Sequence, residues 1–343
     1  MHMADALLSP AVGATMWLAS GAALAVSARR VREQADDRLV PLMGVLGAFV
    51  FAAQMINFAI PATGSSGHLG GGLLLSILLG PHAALVVIAS VLTVQALFFA
   101  DGGLLALGAN IFNLGVVSCF LAYPLVYRPI AGDGASAARV AVGAMLAAIV
   151  GLQLGALGVV LQTVASGISS LPFSTFLLLM LPIHLAISLV EGLATAAIVL
   201  FIRRARPDLF VPAAGASPAR ASLKPLLAAF GLAALLTGGV LSWFASSQPD
   251  GLEWSIERVG GGAELQPPAQ GPHGWLAELQ QTLSFLPDYG LPSAAKAAGP
   301  QPDGLAASWP AVDGGTSLAG VVGGALTAVL VWGLAQLLKR RRR

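Results

Sequence analysis

Residues 175–202 have the sequence TFLLLMLPIHLAISLVEGLATAAIVLFI, and Arg203-Arg204-Ala205-Arg206 follows at once. About 20 apolar residues suffice for a helix to cross the hydrocarbon core of a bilayer, and this stretch is longer. Because the backbone has no water to bond with in lipid, such a stretch must be helical. It therefore predicts a transmembrane helix that ends at a basic, water-exposed cluster.

The composition of the whole chain agrees with this helix. Hydrophobic residues make up 56% of the 343 residues and charged residues 10%, with a mean hydropathy of +0.81. A soluble domain has about 25% charged residues. We therefore predict an all-α integral membrane protein. Its predicted spans lie near 11–28, 41–60, 69–80, 83–100, 104–127, 139–165, 175–202, 222–246 and 317–338. The third is too short to cross straight, so we expect it to be tilted or buried in protein.

The basic residues predict the topology of these spans. With the N-terminus outside, nine crossings put 16 of the 18 basic residues on the cytoplasmic side, and only Arg258 and Lys296 outside. This is the distribution that the positive-inside rule describes. We therefore predict a multi-pass protein of the cell (inner) membrane with a cytoplasmic C-terminus. A basic face with interleaved aromatic residues is missing from the sequence, so nucleic-acid binding is not expected.

The chain divides into two predicted parts. Residues 1–205 form a seven-helix bundle with short loops, and residues 206–221 are a Pro- and Ala-rich cytoplasmic linker. Residues 222–343 form a helical hairpin around an external loop, 247–316, which carries eight acidic residues and is rich in Gly and Pro. We expect much of this loop to be irregular. The acidic surface can also attract divalent cations weakly.

A histidine directly after the initiator methionine is a candidate metal chelate. The Met1 amine, the deprotonated His2 amide and the His2 imidazole together supply three nitrogens. A fourth nitrogen completes the square plane that Ni(II) and Cu(II) favour. An isolated Met-His is more often accidental, so the prediction depends on the rest of the chain.

The stretch Gly64-Ser65-Ser66-Gly67-His68-Leu69-Gly70-Gly71-Gly72 supplies the candidate fourth ligand. This loop lies on the same predicted side of the membrane as His2, and its small residues let backbone approach His68 closely. A lone histidine at a helix start is more often a cap or a packing residue. Its pairing with His2 favours the metal role.

Several motifs together resemble the substrate-binding subunit of nickel and cobalt energy-coupling-factor importers. They are Met1-His2-Met3 with Leu8-Ser9-Pro10, Ser66-Gly67-His68-Leu69-Gly70-Gly71, Gln95-Ala96-Leu97, Asp101-Gly102-Gly103, Leu107-Gly108-Ala109-Asn110, and His184 with Glu191-Gly192. The Pro-Asp-Gly-Leu-Glu stretch at 249–253 resembles the accessory small subunit of these systems, fused into the same chain. The resemblance implies an ion held by Met1, His2 and His68. It also implies partner subunits, namely a membrane coupling (T) component and cytoplasmic ATPases.

Four further polar residues are candidates for orienting the ligands. Glu191 and His184 share one helix face, and a carboxylate at membrane depth suggests function. A glutamate that pairs two helices is an equally good account. Asn110 is explained by helix-to-helix hydrogen bonds, although the resemblance raises an orienting role. Asp5 either fixes the N-terminal segment or has no role.

The energy source must lie elsewhere. The lysines Lys224, Lys296 and Lys339 are not preceded by glycine, so a phosphate-binding loop is missing from the sequence. We therefore predict a non-enzymatic capture subunit without a cofactor, whose transported ligand is Ni²⁺ or Co²⁺. Binding should weaken as pH falls, since the ligands must lose protons. Deleting 222–343 should leave equilibrium binding intact and impair uptake.

The alternative function is a self-sufficient secondary transporter or channel for divalent cations, with Glu191 and His184 on a proton path. A metalloenzyme needs an open coordination position, which a closed four-nitrogen plane lacks.

Overall fold

The structure is a computed structural model that describes residues 2–34, 38–132, 134–207, 222–260, 268–291 and 309–340. It is mostly helical. The helices are α1 (Pro10–Gln34), α2 (Leu39–Gln54), α3 (Gly72–Leu79), α4 (Pro81–Phe99), α5 (Leu107–Ala131), α6 (Ala137–Ser166), α7 (Phe173–Ala205), α8 (Lys224–Gly239), α9 (Gly251–Gly260), α10 (Pro272–Leu283) and α11 (Gly314–Arg340). Two short antiparallel strands, β1 (Phe58–Ile60) and β2 (Ser65–Gly67), form a hairpin between α2 and α3.

The predicted all-α membrane class is confirmed. Within the described residues, six helices are long and apolar enough to cross a membrane: α1, α4, α5, α6, α7 and α11. The apolar helices α2 and α8 have 16 residues each, and α3 has 8. The length of α3 agrees with the prediction that the third apolar stretch is too short to cross the membrane straight. The count of nine crossings, seven plus a hairpin, stays a prediction.

The second predicted span ends earlier than expected. Helix α2 stops at Gln54 and not near residue 60, because residues 58–67 turn into the β hairpin. The hairpin delivers the chain to the glycine stretch in front of α3. In that stretch Gly71 adopts a positive φ of 76°, and a Cβ there would meet Val50 at 2.6 Å. The loop that holds His68 therefore depends on glycine at this position.

The N-terminal segment before α1 lies inside the protein. Met3 and Leu8 are fully buried, and Asp5–Leu7 form a buried 3-10 turn. The Asp5 carboxylate accepts a hydrogen bond of 2.9 Å from the Ala106 amide. This bond caps the start of α5, whose first N–H groups have no partner within their own helix. The predicted role of Asp5 in fixing this segment matches this contact.

The predicted external loop, residues 247–316, contains more regular structure than expected. Helices α9 and α10 lie within the stretch expected to be irregular. Helix α9 begins with a capping box: Asp250 accepts hydrogen bonds from the amides of Leu252 and Glu253, and Glu253 accepts one from the Asp250 amide. The Pro-Asp-Gly turn at 249–251 therefore starts a helix, and its second copy at 302–304 lies outside the described residues, as does the predicted linker from 208 to 221.

The C-terminal helices pack against each other and against α2 through small residues. A Cβ on Gly238 of α8 would lie 3.0 Å from the Cα of Gly320 on α11, so the two backbones touch. Further along α11, a Cβ on Gly44 of α2 would lie 3.2 Å from the Ala328 carbonyl oxygen. Such close approach is the usual basis of helix association in membranes, where lipid gives no hydrophobic drive.

We expect Gly320→Leu to destabilise the protein, because the new side chain would overlap the backbone of α8. Overpacking of this kind costs about 1–3 kcal/mol. Gly333→Leu on the same helix is the matched control, since no atom lies within 4 Å of a Cβ there. Thermal unfolding of both purified variants in detergent measures the difference. Equal midpoints for the two variants would contradict the close helix crossing.

Candidate metal centre

The N-terminal segment is held in place by its backbone at Met3. The Met3 amide donates to Asn110 Oδ1 at 2.8 Å, and Asn110 Nδ2 donates to the Met3 carbonyl at 3.2 Å. The Gly103 amide donates to the same carbonyl at 2.9 Å. Three hydrogen bonds thus fix the residue next to His2. Asn110 bonds to the chain that carries a candidate ligand, and not to an imidazole.

The side chain of His2 is oriented by Asp101. His2 Nδ1 lies 2.7 Å from Asp101 Oδ1, and the His2 side chain is 7% exposed. Since a carboxylate accepts the bond, Nδ1 carries the hydrogen and the lone pair lies on Nε2. Within the described residues this buried Nε2 has no hydrogen-bond partner.

His68 lies beside His2, as the sequence predicts. The two rings stack with centroids 5.0 Å apart and an interplanar angle of 26°. His68 Nδ1 donates to the Leu69 carbonyl at 3.1 Å, which leaves a lone pair on Nε2. Burial lowers the pKa of the His68 imidazole to about 3. The ring is therefore neutral near pH 7, the form that binds a metal ion.

Asp101 is itself held by the C-terminal part of the chain. The Tyr289 hydroxyl donates to Asp101 Oδ2, on the oxygen that His2 does not use. Burial alone would raise the pKa of Asp101, but the electrostatic interaction with His2 and the hydrogen bonds from His2 and Tyr289 lower it to about 2. The carboxylate stays ionised, so it can hold His2 in one tautomer.

His184 and Glu191 have separate roles, although they share one face of α7. His184 Nδ1 donates to the Met180 carbonyl at 2.8 Å, and its buried Nε2 has no partner among the described residues. The Glu191 carboxylate accepts the amides of Gly70 and Gly71 at 2.8 and 3.1 Å. Glu191 thus ties α7 to the loop that follows His68. Its partners are backbone amides and not an imidazole.

A small cavity lies next to His68. Its lining comes from the β2 loop, three helices and the start of α9: Gly67, His68, Gly70, Leu114, Leu152, His184, Ile187, Asp250 and Gly251. Its volume is about 10 Å³, roughly the space that the centre of one water molecule needs. A single small ion or water is therefore the largest occupant that fits without movement.

The ring orientation of His2 differs from the one that the terminal chelate needs. Only Nδ1 of His2 closes a six-membered ring with its own amide, and here Nδ1 bonds to Asp101. Met1 lies outside the described residues. No three His, Cys, Asp or Glu side chains in the described part of the chain are grouped to hold an ion.

Three residues that sequence reasoning gave no role also belong to this region. Asp101 orients His2, and Tyr289 bonds to Asp101. His273 Nε2 donates to the Leu8 carbonyl at 2.8 Å and so holds the N-terminal segment from the other side. Asp101 was identifiable, since its Asp-Gly-Gly loop lies on the predicted outer side with His2 and His68. No local pattern marks Tyr289 or His273.

Two family profiles match the chain almost end to end. The family described as cobalt uptake substrate-specific transmembrane region matches residues 2–209, and the PDGLE domain matches residues 224–340. The chain is 31% identical over 315 residues to the fused nickel transport protein NikMN of Rhodobacter capsulatus, covering 84% of this chain and 88% of that protein. A putative NikMN of Archaeoglobus fulgidus is 41% identical over 213 residues, which is 61% of this chain and 68% of that protein.

A solved structure also resembles the N-terminal part. It is a crystal structure of a truncated transition metal transporter, 29% identical in sequence, with a TM-score of 0.53. The match covers 60% of this chain and 99% of the solved one.

We expect Asn110→Ala to weaken nickel binding about 10- to 100-fold, the usual effect of removing a group that orients metal ligands. The variant loses both hydrogen bonds to Met3, so His2 is no longer fixed. Ser27→Ala is the control, because it removes a hydrogen bond of 3.2 Å to His82, at the end of α4 opposite to Asp101. Calorimetric titration of both variants with Ni²⁺ tests the role. Wild-type affinity in Asn110→Ala would show that the Met3 anchor is irrelevant to binding.

Proposed function

The chain belongs to the family of cobalt uptake substrate-specific transmembrane regions, and from that premise we propose that it captures Ni²⁺ or Co²⁺ for an ATP-driven importer of the energy-coupling-factor type. It is a multi-pass membrane protein and the substrate-specific component of a metal transporter. The proposal adds the ion site, the energy source and the orientation.

The proposed ligands are the Met1 amine, the amide and imidazole of His2, and the imidazole of His68. The observation that carries this proposal is the stacking of the His2 and His68 rings, 5.0 Å apart, on a buried N-terminal segment. Each ring donates its Nδ1 hydrogen to an oxygen, which leaves a lone pair on Nε2. Loading by the chelate requires that His2 Nδ1 exchange Asp101 for the ion. Asp101 and the ion therefore compete for Nδ1 of His2.

The energy for transport is proposed to come from other subunits. The sequence lacks a phosphate-binding loop with its glycine and lysine. A membrane coupling (T) component and cytoplasmic ATPase subunits are therefore the proposed partners. In the proposed topology the N-terminus and the His68 loop face the outside, and the basic C-terminus of α11 faces the cytoplasm.

The choice between nickel and cobalt follows from ligand geometry. Four nitrogens in a plane favour nickel modestly. The family description names cobalt uptake, whereas the two fused relatives are named for nickel transport. We propose nickel as the preferred ion, and titration of the same preparation with each ion decides between them.

We expect His68→Ala, and separately one extra residue before Met1, each to weaken nickel binding by more than about a hundredfold, since each removes a direct ligand. The protein must carry its tag at the C-terminus so that the native start is kept. His82→Ala is the control, because His82 lies at the start of α4 and bonds to Ser27. Tight nickel binding by the extended protein would refute the terminal chelate while leaving a histidine site possible.

Proteoliposomes that contain only this chain should not accumulate nickel. Adding the coupling subunit, the ATPases and ATP should restore uptake, because the proposed release step needs ATP hydrolysis. Radioactive nickel trapped inside the vesicles is the measurement, and ATP replaced by a non-hydrolysable analogue is the control. Nickel accumulation by the chain alone, driven by a proton gradient, would instead favour the secondary-transporter alternative.

A further inference from the structure

The C-terminal part of the chain reaches the candidate metal centre directly. The Ser66 amide donates to the Pro249 carbonyl at 2.8 Å, and the Ser66 hydroxyl donates to the Gln248 carbonyl at 2.7 Å. Ser66 and Asp250 form a parallel β bridge. The turn before α9 is thus added to strand β2, two residues before His68.

The same part of the chain contacts two other components of the site. His273 of α10 bonds to the Leu8 carbonyl in the N-terminal segment. Gln280 donates to the Gly102 carbonyl at 2.7 Å, next to Asp101, which also accepts from Tyr289. The glycine loop, the N-terminal segment and the Asp101 loop therefore all rest against residues 248–289.

The turn forms part of the wall of the cavity beside His68. Asp250 and Gly251 line that cavity together with His68 and His184. A Cβ on Gly251 would lie 3.1 Å from Ile183 Cγ2 and 3.2 Å from both His184 Cε1 and Ile187 Cδ1. A Cβ there is already tight against three side chains of α7, so the larger side chain of valine should push the turn away from α7.

Asp250 also brings a negative charge to the cavity. The carboxylate interacts electrostatically with His68 and with His184. In the proposed chelate, a divalent ion with one deprotonated amide keeps a net charge of +1. A buried charge is costly unless it is paired. A carboxylate in the cavity lining lowers the free energy of the loaded site.

We propose that the turn formed by Pro249, Asp250 and Gly251 completes the metal site and acts as its lid. Asp250 neutralises the loaded site, and the turn must leave strand β2 before the ion can exchange. The inference rests on the proposed function, since it concerns the same ion. It places the C-terminal part at the site itself. Deleting 222–343 should then weaken nickel binding, contrary to the expectation from the sequence that equilibrium binding stays intact. Loops that close over a bound ligand commonly set the rate of its release.

The test is the rate at which Ni²⁺ leaves the full-length protein, purified in detergent with its native start. The loaded protein is mixed with excess chelator, and nickel release is followed over time. We expect Asp250→Asn and Gly251→Val each to release nickel at least about tenfold faster, a factor that corresponds to one decade in the equilibrium between closed and open site. Asparagine also caps helices well, so Asp250→Asn keeps the start of α9.

Two matched controls lie on the same helix. Glu257→Gln removes a charge from an exposed position of α9, and Gly260→Val adds a side chain where no atom lies within 4 Å. Both should release nickel at the wild-type rate. A rate increase in either control as large as in the test variants would overturn the lid, because the effect would then not depend on the turn.

The outcomes separate this inference from the proposed function. A wild-type protein that binds no nickel refutes the function. Nickel-binding protein whose Asp250→Asn and Gly251→Val variants release at the wild-type rate refutes the lid alone. If Gly251→Val does not fold, Trp254→Phe replaces it, because it removes the bond of 3.0 Å from the indole to the Thr63 carbonyl and keeps an aromatic ring at this position. That variant must also release nickel faster, and an unchanged rate in it and in Asp250→Asn overturns the lid.

Discussion

The hydrogen bonds between the Met3 backbone and the Asn110 side chain determine where the start of the chain lies. A chain terminus is usually poorly ordered unless something ties it down. Here one side-chain amide satisfies both the N–H and the C=O of Met3, and Gly103 adds a third bond. Burying this segment without those partners would leave polar backbone groups unpaired, which is costly. The position of His2 follows from this pairing and not from the preferences of His2 itself.

A second constraint concerns which nitrogen of each imidazole is free. His2, His68 and His184 each donate Nδ1–H to an oxygen: a carboxylate for His2 and main-chain carbonyls for the other two. Ligating histidines in metalloproteins usually have such a partner on the second nitrogen. The three rings nevertheless do not converge with an acidic group around one point among the described residues. The free Nε2 of His68 and of His184 fits this pattern, whereas the proposed chelate uses Nδ1 of His2, which must first leave Asp101.

The sequence predicted the helices well because their cause is local. A run of apolar residues decides a membrane helix by itself, so α4 to α7 lie close to their predicted bounds. It also predicted that His2 and His68 meet, since both belong to the same side of the membrane. The pairing of His2 with Asp101 depends on residues 99 positions apart, and only tertiary packing brings them together. Glu191 was expected either to orient an imidazole or to pair two helices, and it accepts hydrogen bonds from two amides of the glycine loop. The helices α9 and α10 were missed because short amphipathic helices in a Gly- and Pro-rich stretch depend on the surface that they pack against.

These contacts show what each of the two parts of the chain contributes to the candidate site. A site made from a chain terminus has few covalent restraints, so its stability must come from whatever packs around it. The N-terminal part supplies one wall through Asn110 and Asp101, and the C-terminal part supplies the other through His273, Tyr289 and the turn at Asp250. Fusion of the two parts in one chain keeps the second wall at high effective concentration. In the proposed function the chain must hold its ion tightly and later release it. The proposed lid serves both requirements, because its carboxylate stabilises the loaded site when closed and its withdrawal lets the ion exchange.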